Sequence, residues 1–308
     1  MDNIDPTKVL YIAGAGRSGS TLLGTILGSI HQFCDIGEVH YLLDRGIQLN
    51  QLCACQVPLQ NCDFWSHVIG NHPTTFDEQT ISHLLDLRNS VSRFRHIPLH
   101  ALNCSMKFQQ RTKTYGEFLG QLYSIIRKST GATVIIDSSK RVHGHVLAQI
   151  PNVKLYTLHL VRDSRASAYS WTRQKAYEPT AKQLSYMPTI STHSSSVHWM
   201  LDNLSAELLK SKTAHYFFLR YEDFVMNPQY EIKRILTFIE EEPDQLPFVS
   251  ERDVRLAITH SVSGNPSRFH DGDVHIKEDE VWKIKLSQKD RAIVTFLTWP
   301  LLKRYGYI

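Results

Sequence analysis

Two segments of the chain carry side chains suited to a doubly anionic ligand. Gly14-Ala-Gly-Arg-Ser-Gly-Ser-Thr21 joins an apolar run, Lys8–Ala13, to a stretch with Leu22, Leu23, Ile26, Leu27 and Ile30 at helical spacing. A glycine-rich turn from strand to helix offers backbone N–H groups at the positive end of a helix dipole, which suits phosphate or sulfate. Three chemistries compete for it. Gly14, Gly16 and Gly19 fit G-x-G-x-x-G, the dinucleotide pattern. The segment nearly fits G-x-x-x-x-G-K-[ST], but Ser20 stands at the lysine position, so the charge that meets the terminal phosphates of ATP or GTP is missing. In a phosphosulfate loop, Arg17 and the hydroxyls of Ser18, Ser20 and Thr21 would join Gly16 and Gly19 around the anion. A ligand-free turn is the plain alternative.

The second segment discriminates among these. Leu158-His-Leu-Val-Arg-Asp-Ser-Arg-Ala-Ser-Ala-Tyr-Ser170 again sets a cation and hydroxyls where a strand becomes a helix. Arg162 falls at the strand's carboxyl end and Ser170 about two helical turns beyond it. Alone, the segment reads equally as a helix capped by Asp163 or Ser164 with solvated arginines. Together with the first, it implies a ligand with two separated anionic groups, which a dinucleotide site does not need. A nicotinamide or flavin oxidoreductase further requires an acid closing a second strand about 20 residues on. Glu38 has that spacing, but Gln32–Gly37 reads as a poor strand. Phosphoryl transfer of the kinase kind is disfavoured by the missing lysine and the lack of a strand bearing a magnesium carboxylate.

The remaining elements must hold these segments on one edge. Strand patterns at Thr133–Asp137, Lys154–Val161 and His215–Leu219 alternate with helical patterns at Glu117–Lys128, Arg141–Ile150, Ser164–Lys175, Ser195–Lys212, Pro228–Glu240 and Ser287–Leu302. Such alternation implies an α/β fold, a P-loop-like parallel sheet flanked by helices. Residues 45–115 and 176–194 break the rhythm and read as loop and helix insertions over the carboxyl edge, where open α/β sheets bind ligands. No repeat or linker divides residues 1–308, which read as a single domain.

Composition sets the bounds. The chain has 308 residues, 42% hydrophobic and 21% charged, which excludes collagen, a rod and a disordered chain. An excess of four cations, 34 Lys+Arg over 30 Asp+Glu, is too small to coat a nucleic acid. No apolar run reaches the roughly 20 residues that span a membrane. The amino terminus lacks the pattern of a secretory signal. Five cysteines, at 34, 53, 55, 62 and 104, suggest free thiols and a cytoplasmic location. Cys53, Cys55 and Cys62 lack paired C-x2-C spacing; as a zinc site they would need His67 or Cys34 as a fourth ligand, and a disulfide is the other alternative. The expectation is no metal. Oligomeric state is left open.

Gly16-Arg-Ser-Gly-Ser-Thr-Leu-Leu23, Leu160-Val-Arg-Asp-Ser-Arg-Ala-Ser-Ala-Tyr-Ser170 and Arg220-Tyr-Glu-Asp-Phe224 together resemble the PAPS-dependent sulfotransferases. Ser263–Phe269 and Cys53-Ala-Cys…Cys62-Asp-Phe-Trp65 look like bacterial members, so the resemblance runs from residue 8 to about 308. It implies PAPS as sulfuryl donor and PAP as product, with no metal required. Gly16, Arg17, Ser18, Gly19, Ser20 and Thr21 would cradle the 5′-phosphosulfate. Arg162 and Ser170 would hold the 3′-phosphate, with Tyr221 and Arg268 also on the nucleotide. Arg17 replaces the lysine usual in the cytosolic branch and is similar to the tyrosylprotein sulfotransferases, which use a glutamate as base. Glu38, in Asp35-Ile-Gly-Glu38, matches that place; His40, His143 and His145 are its rivals. Lys140 would stabilise the bridging oxygen. The acceptor implied is a small molecule taking sulfate on a hydroxyl or amine, with a polysaccharide or glycan as alternative.

Overall fold

A computed structural model describes residues 6–102, 105–174, 176–180 and 183–308; Cys104 and Lys175 lie outside the described residues. The apolar run at the start of the chain forms the middle of a parallel sheet. Its strands are β1 (Thr7–Ala13), β2 (Phe33–Gly37), β3 (Val134–Asp137), β4 (Val153–Val161) and β5 (His215–Arg220), in the order β2-β3-β1-β4-β5. All neighbouring pairs are parallel, with Val9 opposite Ile135 and Leu155.

Because helices cover both faces, β1 is apolar on both sides rather than alternating with polar residues. The first helix, α1, is Ser20–Gly28. Val9 and Tyr11 face one core, shared with Trp65 of α2 (Asp63–Gly70) and with Leu84 of α3 (Glu78–Val91). The same core takes Leu119 and Leu122 from α4 (Met106–Thr130). Leu10 and Ile12 face the opposite core, packed on Leu23 and Ile26 of α1. Local chemistry sets the ends of α4: the Ser105 hydroxyl accepts from Phe108 N–H, and Gly131 closes the helix in the left-handed region at φ 66°.

Two sequence expectations change. Phe33–Gly37 is a strand. It lies at the sheet edge, made extended by pairing with β3 rather than by its own β propensity. The insertion at 45–115 is largely helical among its described residues, and its α2 and α3 build core against α4. Helix α1 stops at Gly28, short of His31, with Gln32 turned to φ 65°. The strand order also decides against the dinucleotide fold. There the second strand lies beside the first, whereas here β3 separates β1 from β2.

Candidate active site

The carboxyl ends of β1, β2, β3 and β4 open onto one cleft of about 650 Å³. The first loop forms its floor. Gly14 takes φ 113°, and a β-carbon there would meet the Leu160 carbonyl oxygen at 2.3 Å. Gly19 takes φ 91°, where a β-carbon would meet the Tyr221 ring at 2.5 Å. Both positions therefore demand glycine. Arg17 is also left-handed, at φ 67°, a strained conformation for a side-chain-bearing residue. No side chain caps α1, so its first-turn N–H groups remain available to an anion.

Arg17 stacks over Trp171 at 4.4 Å and donates to the Met187 sulfur at 3.3 Å. Its Nε and Nη2 are buried without partners among the described residues, as is the Ser18 hydroxyl. Unpaired buried donors of this kind are costly unless a ligand meets them. Burial pushes the Arg17 guanidinium down, and the nearby Glu38 carboxylate opposes that.

Arg162 follows β4, with Asp163 capping α5 (Ser164–Thr172) through a 2.8 Å bond from Arg165 N–H. Its guanidinium lies over the Tyr221 ring at 4.6 Å and donates to the Arg17 carbonyl at 3.3 Å and to Asp279 at 3.0 Å. Arg162 Nε is buried and, among the described residues, unpaired. Ser170 lines the cleft from α5. Tyr221, the first residue of a short helix after β5, wedges between Gly19 and Arg162 and so ties the two segments together.

Glu38 emerges at the end of β2, its N–H donating to Val262 O at 2.8 Å. A β-carbon on Gly264 would lie 3.6 Å from the Thr21 hydroxyl and 3.9 Å from Glu38 Oε1, which puts the carboxylate beside the first loop. Burial pushes the Glu38 carboxyl up, against the pull of Lys140, Arg45 and Arg268. Lys140, three residues beyond β3, donates from Nζ to Ile12 O at 3.0 Å, and burial pushes it down to about 8 despite Glu38 and Asp202. Each carries a charge that a drier cleft disfavours.

All ten residues expected at the nucleotide, except Ser18, line the cleft, as do Glu38 and Lys140. Ser18 is buried in the loop beneath it. Arg268 holds the loop itself, donating to Gly264 O at 3.2 Å and Leu52 O at 3.1 Å. The histidine rivals lie elsewhere. His143 contacts Asp137 at 3.3 Å, His145 meets Ser205 O at 3.1 Å, and His40 is buried behind Tyr41. Among the described residues, His198 is the histidine that lines the cleft. Asp137, the acid at the end of β3, is fully buried and bound by Tyr123 and Ser139 N–H, so it does not face the cleft as a magnesium ligand would.

The sequence reading missed several groups. Arg45 donates to Ser263 at 2.8 Å on the cleft wall. Ser167, one turn before Ser170, has a buried unpaired hydroxyl. Asp202, on α6 (Thr192–Leu209), has an unpaired Oδ1 and is pushed up to about 7 by burial, against Arg141 and Lys140. Only Ser167 carried a signal, through its place in the second segment. The cysteines also differ from expectation. Cys53, Cys55 and Cys62 meet His260, whereas His67 bonds Asn71 along α2 and Cys34 sits in β2.

Among the described residues, no helix is long and apolar enough to cross a membrane. No curated protein sequence matches the chain. The sulfotransferase domain from the Synechococcus PCC 7002 olefin synthase has TM-score 0.50 at 19% identity, covering 98% of this chain and 96% of that one. The sulfotransferase domain from the curacin biosynthetic pathway has TM-score 0.46 at 16% identity, covering 96% and 98%. The first likeness concerns the fold. The sulfotransferase domain family matches residues 6–279. The chain therefore belongs to the sulfotransferase family, enzymes that transfer a sulfuryl group.

Proposed function

We propose that the donor is PAPS and that the sulfuryl group passes in line to a hydroxyl or amine of a small-molecule acceptor, releasing PAP. The observation that carries this reading is the pair of cationic strand ends sharing one cleft. Among the described residues, Arg17 buries two unpaired guanidinium nitrogens there and Arg162 one, its Nε, with the Ser18 and Ser167 hydroxyls also unpaired nearby. Two such cradles suit a nucleotide with anionic groups at both ends, and the cleft volume falls in the range of ligand pockets.

In this reading, the first loop holds the 5′-phosphosulfate through Gly16–Thr21. Arg162, Ser170 and Tyr221 hold the 3′-phosphate, and Arg268 stiffens the loop above it. As the S–O bond to the phosphate breaks, negative charge grows on the bridging oxygen and the sulfuryl oxygens. Arg17 and Lys140 are preorganised cations there and favour the transition state over the ground state. Glu38 takes the acceptor proton as the new S–O bond forms. Transfer needs no metal in this scheme. The whole of residues 1–308 serves this one site as a single domain, without nucleic-acid or membrane partners and in a cytoplasmic setting.

A small acceptor is favoured by the apolar lining of Phe94, Trp171, Met187, Pro188 and Ile190, of which Trp171 and Met187 pack directly on Arg17. The deciding screen offers sulfur-labelled PAPS with phenols, alcohols, amines and oligosaccharides. Label transfer to a small phenol, alcohol or amine is expected. Transfer to oligosaccharides alone would favour the glycan reading, and stabilisation by NADH rather than PAP would remove the sulfuryl donor altogether.

A further inference from the structure

Among the described residues, one cluster of metal-ligating groups lies outside the cleft, and it joins parts of the chain far apart in sequence. Cys62 Sγ lies 3.6 Å from Cys55 Sγ, 3.7 Å from Cys53 Sγ and 3.3 Å from His260 Nδ1, a residue 198 positions away. Cys53 Sγ lies 3.8 Å from the same nitrogen, and all four ligand atoms fall within 4.8 Å of one another. A tetrahedral zinc with bonds of about 2.3 Å to sulfur and 2.0–2.1 Å to nitrogen sets its ligands roughly 3.5–3.8 Å apart. A disulfide needs sulfurs at about 2.05 Å, and none of these pairs approaches that.

The surroundings orient the ligands toward a common centre. Cys53, Ala54 and Cys55 make a tight turn closed by Gln56 N–H to Cys53 O at 2.8 Å, with Gln56 at φ 67°. Cys62 is the residue just before α2. The His260 ring is stacked on Phe64 at 4.8 Å and 8°, and its carbonyl accepts from the Trp65 indole at 2.7 Å. These contacts fix the imidazole and its main chain, as outer partners do around metal ligands. Cys53 and Cys62 are buried, while Cys55 and His260 are partly exposed, which leaves an entry path.

We propose that Cys53, Cys55, Cys62 and His260 form a closed structural zinc site, in place of the free thiols that the cysteine pattern suggests. Three thiolates and one imidazole favour zinc over oxygen-preferring cations, and four protein ligands leave no open position for chemistry. Three thiol protons leave on binding, and no electron is exchanged. The site clamps the segment before α2 to the strand-like run after His260. Ala54 N–H donates to Ser261 O at 3.2 Å, and Val262 receives Glu38 N–H at 2.8 Å while giving its own N–H to Ile36 O at 2.9 Å. The site thus bears on Glu38 only indirectly, through Val262, two residues after His260.

The test is elemental analysis of the full chain purified without added metal, with thiol alkylation followed by mass measurement. About one zinc per chain is expected, with these three cysteines unmodified under native conditions and alkylated once a chelator has removed the metal. Cys55→Ser should lose the zinc and lower the melting temperature. If that variant does not fold, cobalt exchanged into the wild-type protein should give the thiolate charge-transfer bands of a tetrahedral site. A native protein without zinc whose three thiols alkylate freely, or one whose mass shows a disulfide among them, overturns the proposal. Either result leaves the sulfuryl-transfer assignment standing.

Discussion

Arg162 donates to the Asp279 carboxylate at 3.0 Å, so the guanidinium assigned to the 3′-phosphate is already paired with an anion of the same chain. The Asp279 side chain is 37% exposed, against 8% for Arg162, so the carboxylate can leave for water while the arginine cannot. Asp279→Asn should therefore tighten PAP binding. A partly exposed ion pair is worth about 0–1 kcal/mol, which corresponds to at most roughly fivefold. Arg162→Ala should weaken PAP and PAPS alike, raising KM with little change in kcat, because the 3′-phosphate is the same in ground and transition states. Parallel titrations of the two variants with PAP check both signs.

Lys140 should act on the transition state. Its bond to Ile12 O aims the ammonium at the end of β1, beside the first loop. Lys140→Ala should lower kcat by about 10²–10³, the scale of removing one preorganised donor, with a much smaller change in PAP affinity. Unchanged turnover at saturating PAPS would remove Lys140 from the mechanism.

The pH dependence follows from the same pair. In the proposed scheme, Lys140 acts protonated and Glu38 ionised. Burial lowers Lys140 to about 8, so kcat/KM should fall as pH rises through that value. Burial raises Glu38, so the acid limb should lie above the ordinary carboxylate range. Lys140→Arg should abolish the alkaline limb, since arginine does not titrate there. A pH–rate profile of the two proteins shows whether the limb moves.

Glu38→Gln should bind PAP normally and lose most turnover, because a positioned base contributes about 10²–10⁴-fold. Glu38→Asp should keep partial activity. His198→Ala is the control, since His198 lines the same cleft. A dead His198→Ala beside an active Glu38→Gln would transfer the role of base to the histidine.

Gly19→Ala should be destabilising by about 1–3 kcal/mol, the usual scale of overpacking. The added carbon meets the Tyr221 ring at 2.5 Å, and the residue would keep φ 91°. Urea unfolding gives the stability loss, and PAP titration should show weakened binding because Tyr221 also bears on Arg162.

The legible part of this molecule was the part whose pattern is local. The β1 run, the Gly14–Thr21 turn and the Val161-Arg162 strand end each combine apolar continuity with a polar terminus, and each lies where that pattern puts it. Phe33–Gly37 was not legible, because its extended form comes from β3 alongside and from Asp35 accepting Gly37 N–H at 3.0 Å. Asp202 and Asp279 belong to no local motif, and only α6 and the segment before Glu280 bring them to the cleft. The same holds for His260, whose partners stand almost two hundred residues earlier. The histidines nearest the motifs stand outside the cleft for a related reason. His143 and His145 face inward to Asp137 and Ser205, where packing rather than sequence distance decides the neighbour.

The central claim, a donor anchored at both ends, is tested most directly by calorimetric titration of the wild-type protein with PAP and with adenosine 5′-phosphate. The two ligands differ only in the 3′-phosphate. PAP should bind tighter by roughly 10- to 150-fold, the value of about 1.5–3 kcal/mol for a charge-assisted hydrogen bond, and the gap should close in Arg162→Ala. Equal affinities for the two ligands, or no binding of PAP at all, would contradict the account.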